Sequence, residues 1–504
     1  MAGRLLLVTL VLTATSAALE PDRPATGQVV TATGPAADAC VRFKATPHAT
    51  TTDAQGRFTL PGEGKRVTAW KEGYFIAGTA WDGRSPITLR LRPLPTEDYA
   101  EYEWVDPRPV ARSEHRCSQC HEEIFREWHG SAHSRSAQGE HLLGLYAGVE
   151  RPGQPDTGWN LLKQHPLGAS VCAACHAPTI EPSDPGYDDL RETMGVARLG
   201  VHCDYCHKIA DVNLDGLGTE HGRFGHRLLR PREGQLFFGP LPDVDRDEDT
   251  FAPLYRQSRY CASCHEGTVF GAPVYTTYSE WQASPAAKKG QTCQSCHMAP
   301  TGTMTNIAPG KGGWERDPQT LASHTSPGGS LEMLRSSVEV KPRLVVDAAH
   351  VQVLVEIVAR NVGHHVPTGF IDRQLLLVVV GRTAMGDLVP PESGPVLPPA
   401  AGIRATGESL DLRNYGGLGG RLFAKQIADS DGEWPIPFWQ FDKVLADTRL
   451  QPEKVEAYRW SLPRPTTALV EVRLVYRRFW KVDADRKGWT DIDKIIFTTQ
   501  LEVR

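Results

Sequence analysis

One short motif recurs five times in the middle of this chain. Each copy has the form Cys-x-x-Cys-His, and the copies together use ten of the eleven cysteines. They occupy residues 117–121, 172–176, 203–207, 261–265 and 293–297. Two cysteines three positions apart reach both vinyl groups of one porphyrin, and the histidine that follows reaches its iron. The motif is therefore the attachment signature of c-type haem.

Two other uses of paired cysteines compete with haem attachment. Zinc ribbons contain Cys-x-x-Cys pairs, and exported proteins contain disulfides. Neither use needs a histidine directly after the second cysteine, and only 18 of the 504 residues are histidine. The sequence therefore predicts five covalent c-type haems as cofactors. The predicted thioether cysteines are Cys117, Cys120, Cys172, Cys175, Cys203, Cys206, Cys261, Cys264, Cys293 and Cys296. The predicted proximal iron ligands are His121, His176, His207, His265 and His297.

The first residues have the pattern of a secretory signal peptide over 1–18. Arg4 precedes an apolar run over 5–12, and small residues over 16–18 precede a predicted cleavage near Ala18. No later stretch has 18 uninterrupted apolar residues, so no transmembrane segment is predicted in the mature chain. A net charge of −5 offers no basic face for a nucleic acid. We expect an exported protein, periplasmic or extracellular.

Local patterns divide the remaining chain into three predicted domains. Residues 21–95 contain short strand-like runs separated by turns, which predicts a β-sandwich. Residues 96–330 carry all five motifs and few strand patterns, which predicts a loop-rich and α-helical domain organised around the haems. Residues 331–504 alternate apolar and polar positions again, for example over 351–357. This predicts a multidomain fold in which a second β-sandwich follows the haem domain.

The motif spacing indicates a duplicated unit. The separation between successive motifs alternates between long and short, which predicts that the second and third haems form one close pair and the last two another. The pattern Glu-Trp-x-x-Ser occurs at 127–131 and again at 280–284. His133 follows the first copy, whereas Ala286 holds the matching position after the second.

A helix is predicted directly after the first motif. Phe125 and Trp128 lie four and seven residues after His121, on the same helix face, which we expect to cover the first haem. A helix that leaves from the proximal side does not carry His129 or His133 round to the other side of the same ring. If either histidine ligates iron, it ligates a neighbouring haem.

The motifs together resemble a multihaem c-type cytochrome superfamily over about residues 110–370. The resemblance is carried by "CSQCH…EWHGSAH", "GVHCDYCH…EH", "YCASCH…YSEWQASPAAKKGQTCQSCHM", "SHTSPGG" and "NVGHHVPTG". This superfamily includes the tetrahaem cytochrome c that accepts electrons from hydroxylamine oxidoreductase, and also that oxidoreductase. The resemblance implies four distal iron ligands, which are His133, His221, His324 and His364. The further candidates for the fifth are His226, His129 and His115.

The N-terminal segment resembles a different family, the carboxypeptidase regulatory-like domain. A Gly-x-Val strand at 27–29, a hairpin at 52–58 and a late Gly-Tyr pair at 73–74 carry this resemblance. It implies a structural or docking module and no chemistry.

The superfamily resemblance implies electron transfer in a respiratory or extracellular chain, with redox proteins as donor and acceptor. One alternative is a haem-dependent oxidoreductase that acts on a small inorganic nitrogen or sulfur compound, of the nitrite or hydroxylamine type, at a haem with an open axial site. Another is a structural or docking component of a larger multihaem assembly. Pentahaem nitrite reductases of the superfamily carry a Cys-x-x-Cys-Lys motif, which does not occur here. The cross-linking tyrosine of hydroxylamine oxidoreductase has no recognisable counterpart, so no catalytic residue is predicted and a carrier is favoured.

Overall fold

The structure is a computed structural model that describes residues 24–84, 86–109, 116–154, 157–166, 170–181, 188–405, 407, 409–410 and 413–504. The predicted signal peptide over 1–18 and the ligand candidate His115 lie outside these residues. The chain divides into two compact units. The first contains the described residues up to Leu94 together with Leu241–Phe251, and the second contains Pro95–Pro240 and Ala252–Arg504.

The first unit is built from two four-stranded sheets. Its strands are β1 (Ala25–Thr31), β2 (Gly34–Pro35), β3 (Cys40–Phe43), β4 (Ala49–Thr51), β5 (Arg57–Leu60), β6 (Arg66–Trp70), β7 (Ala77–Ala80) and β8 (Ile87–Arg90). One sheet has the order β2-β1-β5, with β8 parallel to β1, and the other has the order β4-β3-β6-β7. Because alternate strand residues face the same side, Val29 and Phe58 of one sheet share a buried core with Val41 and Val67 of the other.

The segment Leu241–Phe251 folds with the first unit, although the sequence assigns it to the central domain. The Asp245 carboxylate accepts hydrogen bonds from Lys44 Nζ and Arg66 Nε, both at 2.6 Å. The Ile76 N–H donates to the Asp249 carbonyl at 3.0 Å. The first unit therefore combines the predicted sandwich with a return segment from between the third and fourth motifs.

The middle of the second unit consists of short helices, two-stranded ribbons and loops. Its helices are α1 (Cys117–Cys120), α2 (Glu122–Gly130), α3 (Glu140–Ala147), α4 (Leu161–Gln164), α5 (Ser170–His176), α6 (Cys203–Cys206), α7 (Arg259–His265), α8 (Thr277–Ala283), α9 (Pro285–Lys288) and α10 (Cys293–His297). The strands over this stretch of chain are β9 (Ile209–Val212), β10 (His226–Leu228), β11 (Phe237–Gly239), β12 (Asp249–Phe251, in the return segment), β13 (Glu266–Val269) and β14 (Ala272–Thr276). Within the described ranges, no helix has both the length and the apolar character needed to cross a membrane.

The C-terminal part of the second unit is rich in long strands. Its elements are α11 (Leu331–Ser337), β15 (Val338–Val346), β16 (His350–Ala359), β17 (Gln374–Arg382), β18 (Leu388–Val389), β19 (Gly420–Ala428), β20 (Lys443–Asp447), β21 (Val455–Pro463), β22 (Leu469–Arg477), α12 (Lys481–Lys487) and β23 (Asp493–Glu502). One sheet has the order β15-β16-β21, and the other has the order β20-β19-β17-β22-β23, with β18 paired to β17.

The core of this C-terminal part lies between the two sheets. Val353 and Val355 of β16 pack in one buried cluster with Leu375 and Leu377 of β17. Leu376, from the opposite face of β17, belongs to a second buried cluster. A strand buried on both faces reads as a continuous apolar run, as β17 does. The prediction of a multidomain chain that combines many β-sheets with a helical motif region is confirmed, whereas the domain boundaries stay predictions.

Candidate functional site

Each motif forms a short helical segment that presents its two cysteines together. The five cysteine pairs lie in α1, α5, α6, α7 and α10. Residues three apart on a helix are neighbours, so the two sulfurs of one motif lie on one side, as attachment to a single porphyrin requires. The Thr292 side chain caps α10 by accepting from the Ser295 N–H. The motif conformation is therefore set by local interactions.

Three of the five motif histidines have one ring nitrogen fixed by the main chain. Their Nδ1 atoms hydrogen-bond to the carbonyls of Ile307 for His121 (2.8 Å), Ser136 for His176 (3.2 Å) and Phe238 for His207 (2.6 Å). A carbonyl partner at Nδ1 fixes the tautomer and leaves Nε2 free to bind a metal. These three side chains are thus oriented as proximal ligands are in metalloproteins.

The two remaining motif histidines, His265 and His297, each face a histidine from elsewhere in the chain. The ring centroids of His133 and His265 are 6.4 Å apart. Those of His297 and His364 are 6.2 Å apart, with the ring planes within 16° of each other. An iron bound by two imidazoles at about 2 Å each, the usual metal–imidazole bond length, separates the centroids by roughly 6 Å. Both pairs therefore have the spacing of an axial ligand pair.

In the second of these pairs, a hydrogen bond to the main chain fixes the ring of His364. His364 Nδ1 hydrogen-bonds to the His365 carbonyl at 2.9 Å, which leaves Nε2 available on the side of His297. In the first pair, His133 faces the fourth motif and not the first, which lies directly before it in sequence.

His324 is half-buried, and its buried Nδ1 has no hydrogen bond of good geometry, although the Ala322 carbonyl lies near enough to raise the pKa of the ring. Its main-chain N–H donates to Glu127 Oε2 at 2.7 Å. Other imidazoles lower the pKa of His324 further. His207 of the third motif has the largest such effect, followed by His121. A buried, unpaired ring nitrogen is costly unless a ligand or metal satisfies it, so this atom is a candidate iron ligand.

His226 presents the same signature on its other nitrogen. Its Nδ1 hydrogen-bonds to the Tyr205 hydroxyl at 2.7 Å, and its buried Nε2 has no partner. His202 provides a contrast, because it is fully buried but uses both nitrogens, with Thr179 Oγ1 at Nε2 and the Tyr205 N–H at Nδ1. His202 is therefore a satisfied core histidine, whereas His226 has a nitrogen to offer.

His221 differs from the prediction in the orientation of its ring. Its Nε2 hydrogen-bonds to the Thr268 carbonyl at 3.2 Å, so this nitrogen is already engaged. The side chain nevertheless lines the same cleft as Cys172, Cys175 and His176 of the second motif. His221 therefore lies beside the second motif, but its Nε2 is already hydrogen-bonded and is not available to an iron there.

The weaker candidate His129 lies on the surface. Its ring stacks on Phe125 with centroids 5.6 Å apart, and its residue is exposed. It contacts the Trp128 ring and no motif histidine among the described aromatic pairs. The structure therefore gives His129 no ligand geometry, and His115 lies outside the described residues.

A cleft that opens to solvent lies beside the second motif. Apolar and aromatic side chains form most of its walls, including Tyr146, Tyr275 and Phe438. Cys172, Cys175 and His176 lie on the same cleft. The donor set and the apolar lining fit a porphyrin attached at this motif.

Burial keeps the candidate ligands neutral. It lowers the pKa of His226, His265, His297 and His324 to about 4, and it lowers the pKa of His133 and His364 below the ordinary value. Neutral imidazole is the form that binds iron, and therefore these side chains need not lose a proton at pH 7 to act as ligands.

Cysteines from different motifs lie in contact. The thiols of Cys117 and Cys203, of Cys175 and Cys264, and of Cys261 and Cys293 lie close enough to shift each other's pKa. The first motif therefore adjoins the third, the second adjoins the fourth, and the fourth adjoins the fifth. The spacing-based pairing of the last two motifs agrees with these contacts, and the pairing of the second with the third stays a prediction.

Two buried glutamates near the candidate distal ligands were not singled out as functional by the sequence pattern. Glu127 accepts from the N–H of His324, and Glu280 accepts from the N–H of His365, which follows His364. Both belong to the repeated Glu-Trp-x-x-Ser pattern, so the repeat itself was the available signal.

Comparison with protein families finds one match. Residues 116–208, which include the first three motifs, match the family described as cytochrome c554 and c-prime. The comparison with curated proteins finds no match.

Among solved structures, the chain is similar to a penta-heme cytochrome c552 from Thermochromatium tepidum. The sequence identity is 22% and the TM-score is 0.52, over 77% of this chain and 97% of that chain. At this identity the likeness shows the fold. The family match and the shared fold support a multihaem c-type cytochrome, and with it haem c binding and electron transfer between redox partners.

Proposed function

We propose that this protein is an exported pentahaem c-type cytochrome whose irons are mostly bound by two histidines, and that it carries electrons between a donor and an acceptor protein. The observation that carries the proposal is the pair of facing histidines at the fourth and fifth motifs, with ring centroids 6.4 and 6.2 Å apart. Haem c, when attached, supplies the one-electron couple of its iron. Export rests on the signal-peptide pattern over 1–18.

The chain supplies attachment, axial ligation and burial. The five motifs contribute the thioether cysteines and the proximal histidines. His133 would serve the fourth motif and His364 the fifth, because their rings face the histidines of those motifs. We assign His324 to the third motif, whose His207 acts on it most strongly among the imidazoles. His226 has a free, buried Nε2 for a further iron. This set places His226 ahead of His221 as a ligand.

The proximity of cysteines from different motifs supports two groups of neighbouring attachment sites. The first and third motifs adjoin each other, and the fourth adjoins both the second and the fifth. Attachment sites that adjoin bring the attached groups close, which favours transfer within the protein over transfer to solvent. Bis-histidine ligation favours lower reduction potentials than His/Met ligation, which suits respiratory or extracellular electron export.

Electronic and magnetic spectra of the purified holoprotein test this proposal. We expect low-spin ferric signals and little binding of carbon monoxide, because an iron with two imidazole ligands has no open position. We also expect no turnover of nitrite or hydroxylamine. A high-spin signal of about one iron per molecule, with matching carbon monoxide binding, would contradict a purely carrier function.

A second candidate function is an oxidoreductase that acts at the second motif. The observation that favours it is the apolar cleft beside Cys172, Cys175 and His176, where the His221 Nε2 is held by the Thr268 carbonyl. If His221 keeps this bond, the iron at this motif has an open axial side toward the cleft. Carbon monoxide binding that disappears in a variant with both Cys172 and Cys175 replaced by serine would locate the open site here.

A further inference from the structure

The two copies of Glu-Trp-x-x-Ser adopt the same local conformation. Helix α2 ends with the Ser131 N–H bonded to the Trp128 carbonyl at 2.9 Å, and α8 ends with the Ser284 N–H bonded to the Trp281 carbonyl at 2.9 Å. The glutamate that opens each copy is 7% exposed in the first and 9% exposed in the second. The repeat is therefore structural as well as sequential, and it buries a carboxylate each time.

In the first copy, the carboxylate holds a segment that carries a candidate distal ligand. Glu127 Oε2 accepts from the main-chain N–H of His324 at 2.7 Å. The residue that it holds is the one whose Nδ1 is buried and unpaired. Among the residues that the structure describes, no ion pair involves Glu127, so the hydrogen bond from His324 is its principal recorded interaction.

The second copy repeats the contact one residue away. Glu280 Oε2 accepts from the main-chain N–H of His365 at 3.2 Å and from the Thr368 hydroxyl at 2.8 Å. His365 directly follows His364, whose ring faces His297. The other carboxylate oxygen of Glu280 accepts from Arg449 Nη1 at 2.6 Å. Glu280 thus holds a ligand segment while a buried cation balances its charge.

A buried carboxylate costs free energy, and a hydrogen bond from an N–H is one of few ways to offset that cost. Both copies direct a hydrogen bond to a loop that carries a histidine ligand candidate, and Glu280 also accepts from the Thr276 hydroxyl at the start of its own helix. A main-chain N–H in or next to the ligand residue lies within a few bonds of its imidazole, so fixing the N–H fixes the position from which the ring reaches the iron.

We propose that Glu127 and Glu280 are equivalent positioning residues, which hold the distal ligand segments of His324 and His364 so that each imidazole keeps its iron six-coordinate. This inference rests on the proposed function, because it requires both histidines to be distal ligands. Neither glutamate touches an attachment site itself. Their effect passes through the main chain of the ligand loops.

Spin state is the readout that separates positioning from a merely structural role. We expect Glu127→Ala to convert about one haem per molecule from low spin to high spin and to create matching carbon monoxide binding, as His324→Ala does. Glu127→Gln should keep the low-spin spectrum, because its amide oxygen still accepts the hydrogen bond. The same comparison applies to Glu280→Ala and Glu280→Gln, with His364→Ala as the reference.

Glu123→Ala is the matched control. Glu123 lies in the same helix, one turn before Glu127, and its side chain is 43% exposed and paired with Arg126. We expect this variant to keep the wild-type spectrum. If Glu127→Ala does not accumulate with full haem content, Glu127→Asp, whose side chain is shorter by one methylene, provides the same test at lower risk.

The outcomes separate this inference from the proposed function. A high-spin haem already present in the wild type counts against the purely carrier function, and the inference is then judged on the change relative to wild type. An unchanged spectrum in His324→Ala would remove the ligand and overturn the inference for Glu127. A Glu127→Ala variant that unfolds at lower temperature with all haems still low-spin would reduce Glu127 to a structural residue.

Discussion

The imidazole of His133 faces that of His265 with the ring centroids 6.4 Å apart and the planes at 78°. His133 follows the first motif in sequence, whereas His265 closes the fourth. The two imidazoles therefore bring together the two copies of the repeated unit, which are far apart in the sequence. It explains why a histidine one helix away from the first motif need not serve that motif.

Replacement of His133 by alanine tests this relationship. We expect one new high-spin centre, located at the haem attached through Cys261 and Cys264, because His265 would lose the imidazole opposite it. The measurement is the ferric spin state, assigned to a haem by repeating it in a variant that lacks one motif. A high-spin centre at the haem of Cys117 and Cys120 would show instead that His133 turns back to the first motif.

Haem content tests the attachment sites. We expect five covalent haems per mature chain, and a loss of one when Cys172 and Cys175 are both changed to serine, since thioether bonds need the sulfurs. Intact mass after extraction of non-covalent haem gives the count, and metal analysis is expected to give iron without stoichiometric zinc. Retention of five haems in the double variant would disprove attachment at the second motif.

The return segment predicts a stability effect confined to the first unit. Asp245→Asn removes the negative charge that pairs with Lys44, whose side chain is 8% exposed. We expect the free energy of unfolding to fall by about 3 kcal/mol. This value is at the lower end for a broken buried ion pair, because the other partner of Asp245, Arg66, is partly exposed to solvent. Thermal unfolding measures it. Asp82→Asn, at a side chain that is 67% exposed, is the control and should change stability by less than about 0.5 kcal/mol.

Lys425 predicts a dependence of stability on alkaline pH. Burial lowers the pKa of Lys425 from 10.5 to about 8 in the folded state. Between these values the unfolded chain binds the proton that the folded chain has released, so stability rises with pH, by up to about 1.4 kcal/mol per pH unit. Below pH 8 both states are protonated and the effect is flat.

The matched variant for this prediction is Lys425→Met, which lacks the titrating group. Denaturant unfolding of both proteins at pH 7, 8, 9 and 10 gives the difference in free energy of unfolding. We expect wild type to gain on the variant only above about pH 8. Parallel pH curves for the two proteins would show that Lys425 keeps an ordinary pKa in the fold.

Sequence patterns predict best those features that depend on neighbouring residues. The motif turns follow from local spacing, and the burial of Val351 and Ile357 follows from strand alternation. The resemblance to a known superfamily brought forward His324 and His364, both of which lie in the interior. The identity of the motif that each one faces is a long-range property, and no local pattern contains it.

The comparison of His221 with His226 shows this limit at close range. The two histidines are five residues apart, and the family pattern favours the first. In the fold, the Nε2 of His221 is hydrogen-bonded to the Thr268 carbonyl, whereas the Nε2 of His226 has no hydrogen-bond partner. The difference is decided by the ribbon of β13 and β14, whose Thr268 lies 47 residues after His221 in the sequence. The return of Leu241–Phe251 to the first unit depends in the same way on partners far along the chain.

The contact between Cys117 and Cys203 has a consequence for how the protein is made. Thiols held together in an oxidising compartment form disulfides, and here the partners belong to different motifs. A chain that folded before receiving its haems would seal the wrong sulfurs to each other and block two attachment sites at once. We therefore expect haem attachment at the first and third motifs to precede the approach of these two cysteines.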